Sequence, residues 1–236
     1  MNLYSTHTPQ QNVKNINKHA VLDLIRFTPG GISRAGIAKE IGLSRAAVST
    51  IVNDLIETGI TRDAEQRTKT SGRPRTLLEV DPEAGYIAGI DMGASHIRVV
   101  LTNFGANALA EKEISIDIAK GPDFCISQAN ELLESLLAES GLTMSMISAI
   151  GIGVPEPIAS EAGMVIAPPI MPGWDRFPIR DTLEKLWGRP VSVNNDAELG
   201  ALGEWAYGAG RGARDLAYIK VGTGIGAGLL IGGRIY

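Results

Sequence analysis

Three stretches of this sequence put polar residues where chemistry could use them. The first is the apolar run 86–91 (YIAGID), which reads as a buried strand. A small-residue turn follows, Met92-Gly93-Ala94-Ser95, and then a return strand over 97–102 (IRVVLT). A carboxylate at a strand end beside such a turn can hold a metal-bound phosphate. Small residues let the backbone approach, and Ser95 adds a hydroxyl donor. Asp91, Gly93 and Ser95 are therefore candidate phosphate-binding residues, although a simple hairpin has the same pattern. The second stretch is Asn194-Asn195-Asp196, where a strand over 191–193 gives way to a helix over 197–207. Ligands of open α/β sheets bind at the carboxyl ends of strands. Asp196 could there take a proton from a substrate hydroxyl while Asn195 holds another, or it could serve only as the helix N-cap. The third is the glycine run 222–228 (GTGIGAG), set between apolar segments 217–221 and 229–231. Ala227 stands where a dinucleotide fingerprint needs its third glycine, and no Gly-Lys-Ser/Thr follows to make a P-loop. A strand-turn-strand loop whose N–H groups cradle phosphate fits Gly222, Thr223, Gly224 and Gly226, and so does a flexible hairpin.

A fourth pattern suits a different ligand. Residues 19–57 read as three helices. The first, 19–27, has Val21, Leu22 and Ile25 on one face and stops at Thr28-Pro29-Gly30-Gly31. The second, 34–41, is capped by Ser33 and ended by Gly42. The third, 45–58, is capped by Ser44 and ended by Gly59. Val48, Ile51, Val52 and Leu55 form its buried stripe. Its opposite face carries Arg45, Ala46, Ser49, Thr50 and Asn53, with Ser44 at the start. Such small or hydrogen-bonding groups leave room for a major groove, where Arg reads guanine and Ser or Thr contacts phosphate or base edges. Segments 60–62 and 76–80 read as short strands flanking a basic loop. Arg73-Pro74-Arg75, after Gly72, is stiff and cationic and suits a narrow minor groove. An ordinary helical hairpin with a solvated basic loop is the plainer alternative.

The elements needed to position these residues fit the composition. The 236 residues are 44% apolar and 20% charged, which excludes wholesale disorder and allows a sizeable core. Strands over 147–154 (ISAIGIGV) and 191–193, with helices over 124–139, 178–187 and 197–207, alternate as in an α/β layer fold. Residues 1–80 hold 11 Lys and Arg against 7 Asp and Glu, and the remainder 11 against 19. A head of +4 on a body of −8 argues that only the head meets a polyanion. One cysteine, Cys125, excludes a disulfide scaffold and a cysteine-built zinc site within this chain, and it reads as packed rather than reactive. His7, His19 and His96 have no metal-ligand spacing. The first twenty residues are polar and no apolar run reaches membrane-spanning length, so the expectation is a cytoplasmic protein without signal peptide or membrane helix.

Together these motifs resemble the ROK family of repressors, open-reading-frame proteins and sugar kinases. The resemblance covers about residues 84–236. The Asp91 turn resembles the family's first phosphate loop, and Gly151-Ile152-Gly153-Val154-Pro155 the segment before its sugar loop. Residues 168–174 (PPIMPGW) resemble the linker beside the cleft. Asn195-Asp196 with Gly203-Glu204 resembles the sugar-binding and general-base motif, and residues 222–228 the second phosphate loop. The resemblance implies a winged helix-turn-helix DNA-binding head over 15–80. It also implies an actin/hexokinase-like (ribonuclease H-like) α/β ROK domain over 84–236, with its C-terminal lobe incomplete. The implied function is a sugar-responsive transcriptional regulator, a repressor of carbohydrate-metabolism genes. Its partners would be a double-stranded DNA operator, a sugar or sugar phosphate effector, and a second copy in a homodimer. The alternative is an ATP-dependent sugar kinase with a DNA-binding head; Asp196 would be its base, and magnesium and ATP its cofactors.

Three departures stand out. Ala94 and His96 replace the second Gly and the Lys of the kinase loop Asp-x-Gly-Gly-Thr-Lys. Glu156, a further sugar-binding candidate, puts a carboxylate where the sugar loop has Gly. Longer family members continue into a structural zinc site whose ligands are absent here. The expectation is therefore a fragment, or a product truncated early in the second lobe, which is not a competent kinase.

Overall fold

The computed structural model describes residues 9–28, 30–65, 76–155, 158–159, 163–166 and 171–236. The chain divides into two compact units, one running through Ala84 with Phe104–Ala106, the other formed by Gly85–Asn103 and Asn107–Tyr236.

The first unit contains α1 (Pro9–Phe27), α2 (Arg34–Ile41), α3 (Arg45–Glu57) and the antiparallel pair β1 (Thr61–Glu65) and β2 (Thr76–Val80). Local chemistry sets its helix ends. The Ser33 hydroxyl accepts from Gly36 N and the Ser44 hydroxyl from Ala47 N, each at 3.2 Å. Gly42 ends α2 in the left-handed region, at φ 68°. Val21, Ile37, Val48, Val52, Leu55 and Leu78 are fully buried and form one core. Ile32 bridges to Leu78, adding a third extended segment to the pair. α1 starts ten residues before the expected position. Pro9 suits a first helical residue, and no Gly or Pro interrupts the polar segment that follows it.

The second unit is built on a five-stranded sheet in the order β5-β4-β3-β6-β9. These strands are β3 (Tyr86–Met92), β4 (His96–Asn103), β5 (Ala108–Ser115), β6 (Ile147–Val154) and β9 (Val191–Asn195). β3, β4 and β5 form an antiparallel meander, while β6 and β9 run parallel to β3. The sheet's two faces differ. Ile90, Val99, Ile152 and Val193 are adjacent in register and buried beneath α4 (Pro122–Glu139) and α5 (Ile179–Trp187). The alternate residues, among them Gly89, Asp91, Arg98, Gly151 and Gly153, face the other way. Short strands β7 (Ile158–Ala159) and β8 (Met164–Val165) pair between β6 and α5.

α6 (Asp196–Tyr207) follows β9 and packs on a second, antiparallel sheet of β10 (Leu216–Val221), β11 (Ile225–Ile231) and β12 (Arg234–Ile235). Gly228 makes that contact possible: a Cβ there would collide with the Ala197 carbonyl and lie 2.7 Å from the Ala201 Cβ. The opposite face exposes Ile219, Val221, Ile225, Leu229 and Ile231.

β5 and β11, like α1, differ from the sequence expectation. β5 has no clear signal in the sequence, because its AEKE centre lies on an exposed edge and lacks a strong apolar alternation. β11 begins at Ile225, so Gly226 and Gly228 belong to a strand and only Gly222-Thr223-Gly224 form the turn.

Candidate nucleic-acid interface and sugar cleft

The outer face of α3 is polar and largely accessible. Ser44, Arg45, Ala46, Thr50 and Asn53 are exposed, and Ser49 is half-buried. Two of the hydroxyls already serve the helix: Ser44 caps it, and Thr50 donates to the Ala46 carbonyl at 3.1 Å. Arg45 is the cation of this face. Ion pairs hold the helices around it: Lys18 of α1 with Asp54 of α3 at 2.5 Å, and Arg34 of α2 with Asp63 of β1 at 3.1 Å. The wing residues Arg73 and Arg75 lie outside the described residues.

In the second unit, Ser95, Asn195, Asp196, Gly222, Thr223, Gly224 and Gly226 line one cleft of about 210 Å³, together with His96, Pro155 and Lys220. Residues from four separate stretches of sequence thus meet. Gly222 and Gly224 have open space where a Cβ would point. Glu156 and residues 167–170 lie outside the described residues.

The cap of α6 is Asn195, not Asp196. Its Oδ1 accepts from Ala197 N at 2.9 Å and from Glu198 N at 3.2 Å. This leaves Asp196, the first residue of the helix, free to point elsewhere. Its Oδ2 accepts from Lys220 Nζ of β10 at 2.5 Å, and its side chain keeps only 9% of its surface accessible. The helix N-terminus favours a carboxylate at this place. Burial pulls the Lys220 ammonium down, but the hydrogen bond and charge of Asp196, with the charges of Asp91 and Tyr218, outweigh it and hold Lys220 above its usual value. Lys220 was not among the sequence candidates. Its strand, LAYIKV, reads as an apolar run, and the one clue was a charge inside it.

Asp91 and Gly93 stand apart from this lining. Asp91 borders an adjoining cavity of about 460 Å³ with Arg98, Tyr218 and Gly153, and the Asp196–Lys220 pair lines both spaces. His96 Nε2 donates to Asp91 Oδ2 at 3.1 Å, while Asp91 Oδ1 is buried without a hydrogen-bond partner. The His96 ring lies against Gly93, where a Cβ would come within 2.7 Å of its Nδ1. Gly93 N donates to the His96 carbonyl and closes the turn. The first turn thus directs its carboxylate to a side chain of its own hairpin. Glu204 also has a local task, since its Oε2 accepts from Ala209 N at 2.8 Å in the loop after α6.

Cys125 is fully buried, and burial, with the nearby charge of Asp117, pushes its thiol up to about 11. Among the described residues no group of three or more His, Cys, Asp or Glu could hold a metal ion, and no helix is long and apolar enough to cross a membrane.

Comparison with known proteins agrees with both units. The model of the ROK family matches residues 87–236, and that of a winged helix-turn-helix DNA-binding domain matches residues 14–60. The chain is 35% identical over 224 residues to a putative xylose repressor of Caldicellulosiruptor sp. (strain Rt8B.4), covering 95% of this chain and 56% of the relative. It is 31% identical over 150 residues to a glucokinase of Halalkalibacterium halodurans, covering 64% and 45%. Among solved structures, a ROK family transcriptional regulator described as a homologue of the Escherichia coli Mlc protein superposes with a TM-score of 0.74 at 25% identity, over 95% of this chain and 56% of that one. The matches thus span about half the length of these relatives.

Proposed function

The chain belongs to the ROK family, and on that premise we propose that the protein is a sugar-responsive, DNA-binding transcriptional regulator, a repressor of carbohydrate-metabolism genes acting in the cytoplasm. Residues 15–80 form its DNA-binding domain and residues 84–236 its effector domain. Arg45, with Ala46, Ser49 and Thr50, meets the major groove of an operator, and Ser44 sets the start of the reading helix. Arg73 and Arg75 hold the flanking minor groove. A homodimer is proposed because two heads read a two-fold site. A sugar hydroxyl is received by Asn195 and Asp196, and the effector acts by binding one conformation of the protein better than the other. The likeness to a putative xylose repressor across both units supports this reading.

The observation that carries the choice of regulator over enzyme is His96. Its ring lies against Gly93 and its Nε2 holds Asp91, the carboxylate a kinase would need beside its first phosphate turn. A second reading, an ATP-dependent sugar kinase with Asp196 as base, rests on the shared cleft of Asp196 and the Gly222-Thr223-Gly224 turn. Hexose-dependent ATP turnover that is lost in Asp196→Asn would establish it.

The test of the regulator is selection of bound duplexes from a randomised DNA pool at several salt concentrations. An inverted repeat is expected, with Arg45→Ala weakening binding by about 1–3 kcal/mol if Arg45 pairs with guanine. Binding without sequence preference, falling steeply with salt and indifferent to Arg45, would reduce the head to a polycation.

A further inference from the structure

Lys220 is a cation set into a strand whose outward residues are apolar. The alternation of β10 exposes Ala217, Ile219 and Val221 and turns Tyr218 and Lys220 inward. The ammonium meets Asp196 at 2.5 Å, on the wall common to the sugar cleft and the cavity that holds Asp91. The charge of Asp91 acts on it too, and Asp91 keeps one buried carboxylate oxygen without a partner. Two carboxylates, Asp91 near the end of β3 and Asp196 just after β9, thus line one cavity with this ammonium, Asp196 paired with it and Asp91 hydrogen-bonded to His96. Such carboxylates otherwise suit a hard divalent cation, which neutralises them and carries phosphate oxygens to them. A fixed ammonium in the same space repels that cation and offers three N–H donors instead.

We propose that Lys220 is the resident counter-ion of the cleft, standing where a divalent cation would otherwise bridge Asp91 and Asp196, so that the site takes an uncharged polyhydroxyl ligand without metal. The ligand part rests on the sugar reading above; the exclusion of metal does not. In a neutral pair each partner keeps hydrogen-bonding capacity that ligand hydroxyls can use. Lys220 has further N–H donors, and Asp196 has a second oxygen. A phosphorylated ligand would instead set its negative charge against the Asp196 carboxylate beside it.

The test is titration of the full 236-residue chain with Mn²⁺, followed by calorimetry, for the unmodified protein, Lys220→Arg, Lys220→Met and Lys220→Met/Asp196→Asn. No binding is expected for the first two at about 1 mM, the weak end of protein sites for hard divalent cations. Lys220→Met should gain at least about tenfold in affinity, and the double variant should lose that gain, as coupled groups do in a mutant cycle. Lys220→Gln, which keeps a donor for Asp196, replaces the methionine variant if that one does not fold. Equal Mn²⁺ affinity in the unmodified protein and the charge-removing variant, or no gain in a folded one, overturns the proposal. Melting with a neutral pentose or hexose is measured alongside. A sugar that fails to raise the melting temperature counts against the sugar reading and leaves the Mn²⁺ result to stand alone.

Discussion

The face of α3 and the cleft of the second unit are assembled over very different lengths of chain. α3 and its N-cap present residues 44–53 from a single stretch, held by its own caps and by the Lys18–Asp54 ion pair. The cleft joins Ser95, Pro155, Asn195, Asp196, Lys220 and Thr223, and needs two sheets and α6 to bring them together. A local site depends on helix geometry and tolerates change around it. A distributed site depends on close approaches, and one added methyl or one lost charge reaches every group in it.

The largest effect should come from breaking the pair that joins the two sides of the cleft. Lys220→Met leaves the Asp196 carboxylate unpaired with little access to water. Loss of about 3 kcal/mol is expected, the low end for a broken buried pair because Lys220 itself keeps a third of its side chain accessible. All three tryptophans, Trp174, Trp187 and Trp205, lie in the second unit, so denaturant unfolding followed by their fluorescence reports on that unit. Unchanged stability would mean that the cleft does not depend on the pair. Gly228→Ala should cost somewhat less, about 2 kcal/mol, because the new methyl meets the Ala197 carbonyl of α6, which cannot rotate away. The smallest effect belongs to α3. Ser44→Ala removes one cap and should cost about 1 kcal/mol, read by circular dichroism, with tryptophan fluorescence unmoved. A larger loss from Ser44 than from Lys220 would reverse the comparison.

The winged unit was legible because its punctuation is local. Ser33, Ser44, Gly42 and the Thr28-Pro29-Gly30-Gly31 stop act within a turn of the residues they control, and the helix-start and helix-end chemistry they follow is general. The continuous apolar runs of β3 and β6 were legible for a similar reason, since a strand buried in a sheet needs little else. The assignment of the α6 cap was not. Asn195 and Asp196 are both good caps, and the choice between them fell to Asn195 because Asp196 is drawn toward Lys220, twenty-four residues away.

The glycine run shows the same division. A run of glycines is visible in any reading of the chain, yet Gly222 and Gly224 border open space while Gly228 admits α6 to the sheet. Composition cannot separate these roles, because each follows from what lies opposite the missing Cβ. His96 was legible as a departure from a family loop; its hydrogen bond to Asp91 and its seat on Gly93 were not.

Residue order by itself determined the two-part organisation, the charge contrast, most helix ends, the family and the identity of the polar residues at the ends of β3 and β9. Those properties follow from backbone stereochemistry and apolar periodicity, which act over a few residues. The tertiary structure alone decided that Asp196 faces an ammonium, that Asp91 is held by its own hairpin, and that Ser95 and Thr223 border the same space. Ion pairing and close packing depend on distances through space, between residues 24 apart in sequence for Asp196 and Lys220 and more than a hundred apart for Ser95 and Thr223, and no local pattern encodes such distances.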